Sequence, residues 1–234
     1  MEQNLSNLIR PMSVVAQEAI NYISGRRDHS ITSLKTRWAK FNKQCMGGIE
    51  PNTVYTIAGI SGSGKSSFAN EISTDIVDLN PGEEIVILIF SLEMVGFRQV
   101  GRTLSSKLRK TTSTLYSSET DLDDDTFRKV ISVSNQLKEY PIWFVDNPTT
   151  PKEAEDIIKY FYNTYIKGTD KHFVIMYDHA LLTKPIGSVI ETMQELERVF
   201  ISAKKYPMTS VLQLAQMNRN IAVSYTHLTL PTTP

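Results

Sequence analysis

Residues 54–66 read VYTIAGISGSGKS. Two signals adjoin here. Val54–Ala58 is a short run with β-branched residues, suited to a buried strand. Gly59–Ser66 then follows the pattern Gly-x4-Gly-Lys-[Ser/Thr], which closes a loop of backbone N–H groups around a phosphate chain. Glycines keep Cβ atoms out of that loop, a lysine reaches the β- and γ-phosphates, and the last hydroxyl binds Mg²⁺. A helix must follow, with its positive end toward the anion. Ser66 to Leu79 meets that demand: Phe68, Ile72, Ile76 and Val77 share a face, and Asn80-Pro81-Gly82 stops it.

Further out, strand and helix patterns alternate. Ile85–Phe90, Ile142–Val145, His172–Tyr177 and Ser210–Leu214 are apolar runs of strand length. Between them lie helical patterns at Gln99–Leu108, Phe127–Leu137 and Pro151–Tyr165, and one striped by Val189, Met193, Leu196, Phe200 and Ala203. Alternation of this kind predicts an α/β fold with a mostly parallel sheet flanked by helices. Strands so uniformly apolar are buried on both faces. Residues 111–125 read as a loop, and Asp121 to Asp125 as an acidic first turn favoured by the dipole of the next helix. Leu5 to Ile23 has helical spacing, interrupted or started at Pro11, and precedes a polar linker, SGRRDHS. It suits either a core helix or docking on a neighbouring subunit.

In a parallel sheet the strands end on one edge, where ligands bind. Four polar residues follow strand ends there. Asp178, after VIMY, is the candidate to hold Mg²⁺ through water. Asp146, after IWFV, competes, but Asn147-Pro148 behind it makes it a turn starter. Glu93, in FSLEM, is a carboxylate near the γ-phosphate but off the metal, placed to act as a general base on water. Gln216, past the fifth strand, offers an amide that senses the γ-phosphate. Gly59, Ser61, Gly62, Ser63, Gly64, Lys65, Ser66 and Ser67 are the candidate nucleotide-binding residues, with Ser66 and Asp178 on the metal.

The bulk numbers exclude several classes. Hydrophobic residues make up 41% of the 234, enough for a real core. Formal net charge is zero, so any nucleic-acid contact must be local rather than chain-wide. One cysteine, Cys45, rules out an internal disulfide and fits a reducing compartment. No membrane-spanning run or signal-peptide layout is visible, and the chain reads as cytoplasmic.

Together these segments resemble the ATPase domain of the DnaB-type replicative helicases, on a RecA-like fold, from about Ile31 to Arg219. ITSLKTRWAKFNKQCMGGIEPN looks like that family's lead-in, with Phe41-Asn42 and Gly47-Gly48-Ile49. FSLEM is close to a family signature, Arg102 stands where the family has an arginine after it, and Ala215–Arg219 (AQMNR) resembles Ser-Gln-Leu-Asn-Arg. The resemblance implies ATP and Mg²⁺ as cofactors, Arg102 among the nucleotide-binding residues, a hexameric ring with ATP between protomers, and single-stranded DNA at a replication fork as partner. Primase or a helicase loader are further partners of the family, and a phage source would suit the short architecture. A recombinase-like or regulatory ATPase, or a nucleotide-binding assembly module, is the alternative. One departure is clear: Asp178 continues as His179-Ala180-Leu181-Leu182 where the family has Tyr-Leu-Gln-Leu. The expected division is a docking helix over 1–27, the ATPase domain over 28–222 and a foreign tail over 223–234. The tail, VSYTHLTLPTTP, matches one reading frame of a transposon-based sequencing adapter over Val223–Thr232. The natural frame is therefore expected to run past Ala222, into the missing DNA loops and arginine finger.

Overall fold

The computed structural model describes residues 9–119 and 121–217. Strands β1 (Val54–Gly59), β2 (Ile85–Ser91), β3 (Ile142–Val145), β4 (His172–Asp178) and β5 (Thr209–Gln216) form one sheet in the order β1-β5-β4-β2-β3. Every pairing is parallel. The helices are α1 (Met12–Arg27), α2 (Ala39–Gln44), α3 (Lys65–Asp78), α4 (Gly96–Leu108), α5 (Thr112–Tyr116), α6 (Asp124–Leu137), α7 (Pro151–Tyr165) and α8 (Val189–Ala203), with a 3₁₀ turn at Ala180–Leu182.

The unbroken apolar runs are explained by two cores. Along β2, Val86, Leu88 and Phe90 face a cluster with Ile158 and Phe161 of α7 and Leu196 and Phe200 of α8. Ile85, Ile87 and Ile89 face the other way, against Ile72 and Ile76 of α3, with Leu34 and Ile49 of the lead-in. Alternate residues point to opposite faces of a strand, so a sheet covered on both sides needs both sets apolar. Pairs such as Phe90–Tyr177, stacked at 5.0 Å, tie neighbouring strands within one layer.

Helix ends follow their sequence signals. α7 and α8 open with capping boxes, Thr150 with Glu153 and Ser188 with Glu191. Asp123 caps α6, accepting from the Thr126 amide at 2.8 Å, and Asp124 and Asp125 sit in its first turn.

Two expectations need correction. The 111–125 loop contains α5, which starts because Thr111 Oγ1 accepts from the Thr114 amide at 3.0 Å. The polar linker is in part helix: α1 runs through Ser24-Gly25-Arg26-Arg27. Arg26 holds that end, its Nη1 donating to Ser33 Oγ at 2.9 Å. Tyr22 donates to Glu50 Oε1 at 2.6 Å, and burial together with Glu50 pushes its phenol up to about 12. The rest of α1 is not a core helix, since Ile20 and Ile23 are 60% and 65% exposed. Leu5 and Leu8 of its predicted stripe lie outside the described residues.

Candidate nucleotide site

Gly62 and Gly64 adopt φ of +80° and +86°, a left-handed backbone that L side chains rarely take. They bend the chain between β1 and α3. Gly64 is the N-cap of α3 and supplies no side chain to its first turn, which also carries no acidic residue. The leading N–H groups of α3 are therefore free of a cap and face the cavity, the arrangement that takes a phosphate. Lys65 folds back here, its Nζ donating to the carbonyls of Gly59 and Ile60 at 2.9 Å each. Those bonds hold the ammonium over the loop.

A cavity of about 250 Å³ opens above this loop. Ser61, Gly62, Gly64, Lys65, Ser66 and Ser67 line it from the loop and α3. Asp178 from β4, Glu93 from the turn after β2, Arg102 from α4 and Gln216 from β5 complete the wall. Gly59 and Ser63 do not line it. Gly59 shapes the loop from below, where a Cβ would come within 2.6 Å of Ser63 Oγ, and its carbonyl anchors Lys65.

Sheet order explains the convergence. Ser91 is the register partner of Asp178, and Leu92 N donates to Asp178 O at 2.8 Å, which brings the Glu93 turn beside the aspartate. Gly59 is the partner of Gln216, and Met217 N donates to Gly59 O at 3.0 Å. β5 lies between β1 and β4, so Gln216 stands between the phosphate loop and Asp178. Asn218 and Arg219 of the AQMNR segment lie outside the described residues, as does the 223–234 tail.

The Asp178 carboxylate is buried, and its Oδ1 has no hydrogen-bond partner. Burial pushes its pKa above the ordinary aspartate range; the Ser66 hydroxyl opposes that and Glu93 adds to it. An unpaired buried carboxylate oxygen beside a hydroxyl fits a hard cation. Among the described residues no three His, Cys, Asp or Glu side chains form a metal cluster. Mg²⁺ needs none, because it keeps waters and takes phosphate oxygens alongside one or two protein groups. Asp146, by contrast, is engaged elsewhere: its Oδ1 accepts from Gly96 N at 2.9 Å.

Sequence reading missed Asn70, Met94 and Gln99, which also line the cavity. Asn70 falls four residues after Ser66 on one helix and Gln99 three before Arg102 on another, spacings that share a face. Gln99 Nε2 donates to Ser91 Oγ at 2.6 Å, and Ser91 donates on to Met94 O, so the Glu93 turn is laced from both ends. His179 also lines the cavity and is buried, following a cis peptide bond from Asp178.

Comparison with known proteins places this geometry in context. Residues 33–227 match the family model described as DnaB-like helicase C terminal domain, a span that ends inside the predicted tail. One solved structure, described as an ATPase domain, superposes with a TM-score of 0.72 at 16% identity, covering 88% of this chain and 72% of that one. "The Structure Of A DnaB-Like Replicative Helicase And Its Interactions With Primase" superposes with a TM-score of 0.70 at 16% identity, covering 88% of this chain and 49% of that one. No curated protein matches the chain. Among the described residues, no helix is long and apolar enough to cross a membrane.

Proposed function

The chain belongs to the DnaB-like helicase C-terminal domain family, and from that premise we propose that it hydrolyses ATP and couples hydrolysis to movement along single-stranded DNA and duplex unwinding. One observation carries the reading: Lys65, Ser66, Glu93, Asp178 and Gln216, drawn from separate segments of the chain, line a single cavity over an uncapped helix N-terminus.

The residues divide the work by chemistry. The α3 amides and Lys65 bind the phosphates, Lys65 giving up its two carbonyl partners to do so. Ser66 and Asp178 are the groups that would hold Mg²⁺, which supplies charge neutralisation across the β- and γ-phosphates when bound. Glu93 orients a water in line with the γ-phosphorus and takes its proton as the new P–O bond forms and the bond to the bridging oxygen breaks. ADP is the leaving group. Gln216 hydrogen-bonds the γ-phosphate and loses that partner once phosphate departs, a signal carried into β5. Arg102 adds positive charge on the far wall. The exposed apolar residues of α1 suit docking on an adjacent protomer, in a ring that places nucleotide between subunits and single-stranded DNA at its centre.

The 222-residue segment alone is expected to bind nucleotide and hydrolyse it poorly, so the test is ATP turnover with and without single-stranded DNA in the protein read through its natural frame past Ala222, as wild type and Glu93→Gln. Wild type is expected to be stimulated by DNA and to displace a strand. The variant should bind ATP normally and lose about 10²–10⁴-fold in turnover. Strand pairing without displacement would point to a recombinase-like ATPase instead. ATP binding with no turnover, whether or not DNA is added, would leave a nucleotide-binding assembly module.

A further inference from the structure

Glu93 is the more exposed of the cavity's two carboxylates, with 55% of its side chain in solvent, and among the described residues no hydrogen bond holds it. A general base so placed samples many rotamers, and only a few aim an oxygen at the attacking water. One group stands near enough to restrict it. His179 Nε2 lies 4.0 Å from Glu93 Oε2, and the His179 side chain is only 11% exposed. The imidazole is thus held by its surroundings while the carboxylate is free to move.

We propose that His179 is a positioning residue for Glu93, its Nε2–H donating to one carboxylate oxygen and leaving the other for the attacking water. This rests on the assignment of Glu93 as the base. The tautomer follows from burial. His179 Nδ1 is buried and has no hydrogen-bond partner. A neutral imidazole carries one N–H and one bare nitrogen. A proton on Nδ1 would strand a donor in the interior and turn a bare Nε2 toward a carboxylate, two unfavourable contacts. A proton on Nε2 leaves Nδ1 as an unpaired acceptor but makes a charge-assisted bond at the other end. A Glu93 rotamer that brings its oxygen about 1 Å closer makes the bond, and catalytic hydrogen bonds commonly tighten when substrate binds. The geometry also gives the departure from the family pattern a role: a tyrosine in place of His179 would put its hydroxyl further out along the side chain, so this chain pairs its base differently.

Two measurements on the full chain test the proposal. The first reads the pair directly and needs no turnover. The chain has four histidines, so long-range ¹H–¹⁵N spectra at pH 8 can be assigned with His179→Gln. His179 should be the Nε2–H tautomer, and Glu93→Ala should shift its Nε2 resonance. A Nδ1–H tautomer, or a resonance indifferent to Glu93→Ala, overturns the pairing. The second reads its consequence. His179→Phe should lower kcat by about 10–100-fold with KM for ATP unchanged. His179→Gln, whose amide nitrogen falls near the Nε2 position, should restore most of it, and His179→Asn should not. In a Glu93→Ala background His179→Phe should cost nothing further. A loss in KM instead, or full additivity, overturns the positioning role. If the protein read through its natural frame past Ala222 fails to turn over ATP, the hydrolytic reading falls, and the spectra still decide the pair.

Discussion

The Gly96 amide donates to Asp146 Oδ1 at 2.9 Å, so the acid that ends β3 holds the first turn of α4. Val95, the N-cap of α4, contributes no side-chain bond, and Asp146 does that work from another strand. Asp146→Ala should therefore cost about 1 kcal/mol of stability, typical of a lost cap. A urea titration would show it as a lower midpoint at unchanged slope. Nucleotide affinity should stay within about twofold; a loss of Mg²⁺-dependent ATP binding would restore Asp146 as a metal-site residue.

Asp178→Asn should behave in the opposite way. Burial raises the folded-state pKa of Asp178 above its ordinary value of 3.8. Between those two values the folded state binds the extra proton, so stability falls as pH rises through the window and stays low above it. The variant cannot ionise. Its melting temperature relative to wild type should therefore increase from pH 4 to pH 8 in the absence of nucleotide, while its affinity for ATP becomes insensitive to Mg²⁺. A constant difference across that range would mean that Asp178 is not desolvated.

Acid should weaken the lead-in through His172. Its imidazole is buried at the start of β4, with Nε2 3.3 Å from both Thr32 Oγ1 and Glu83 Oε2. Burial lowers its pKa below 6.5, and Glu83 offsets part of that. The unfolded chain then takes up a proton first as pH drops, so stability is intact above pH 6.5 and declines as pH falls toward the depressed folded value. His172→Gln should flatten that part of the pH–stability curve in a thermal melt. An unchanged curve would show that other groups set it.

Gly48 should tolerate no side chain. Its φ is +142°, and a Cβ would lie 2.1 Å from the Leu34 carbonyl oxygen, where Leu34 and Ile49 form an antiparallel bridge. Strain of that sort costs about 1–3 kcal/mol before the backbone clash is added. Gly48→Ala should lose at least that much in a denaturant titration, whereas Gly82→Ala, with open space around its Cβ position, should lose less. Equal losses at both sites would mean that the bridge yields easily.

Much of the site was legible because parallel strands gather their C-terminal ends on one edge. Once Ile85–Phe90 and His172–Tyr177 read as parallel strands, Glu93 and Asp178 had to lie on the same edge of the sheet. Asn70 and Gln99 were not legible in that way, for their place in the wall depends on α3 packing against α4, where Asn70 Nδ2 donates to Thr103 Oγ1 at 3.1 Å. No strand pattern announces a contact between helix flanks. α5 was hidden because five residues of serine, threonine, leucine and tyrosine carry no helical period, and one threonine hydroxyl decides the matter. The sheet order was also invisible: nothing in an apolar run says that β5 will wedge between β1 and β4.

That wedge has a consequence for how the molecule is made. Among the described strands β1 bonds only to β5, whose partner residues lie 157 positions later in the chain. A ribosome adding about 5–20 residues per second needs roughly 8–30 s to cover that distance. Through that interval the strand leading into GISGSGKS has no sheet to join, while β2, β3 and β4 can already pair. The candidate nucleotide site is then the last part of the sheet to close, and the nascent chain carries an open β1 edge for a chaperone, or a second nascent chain, to find first.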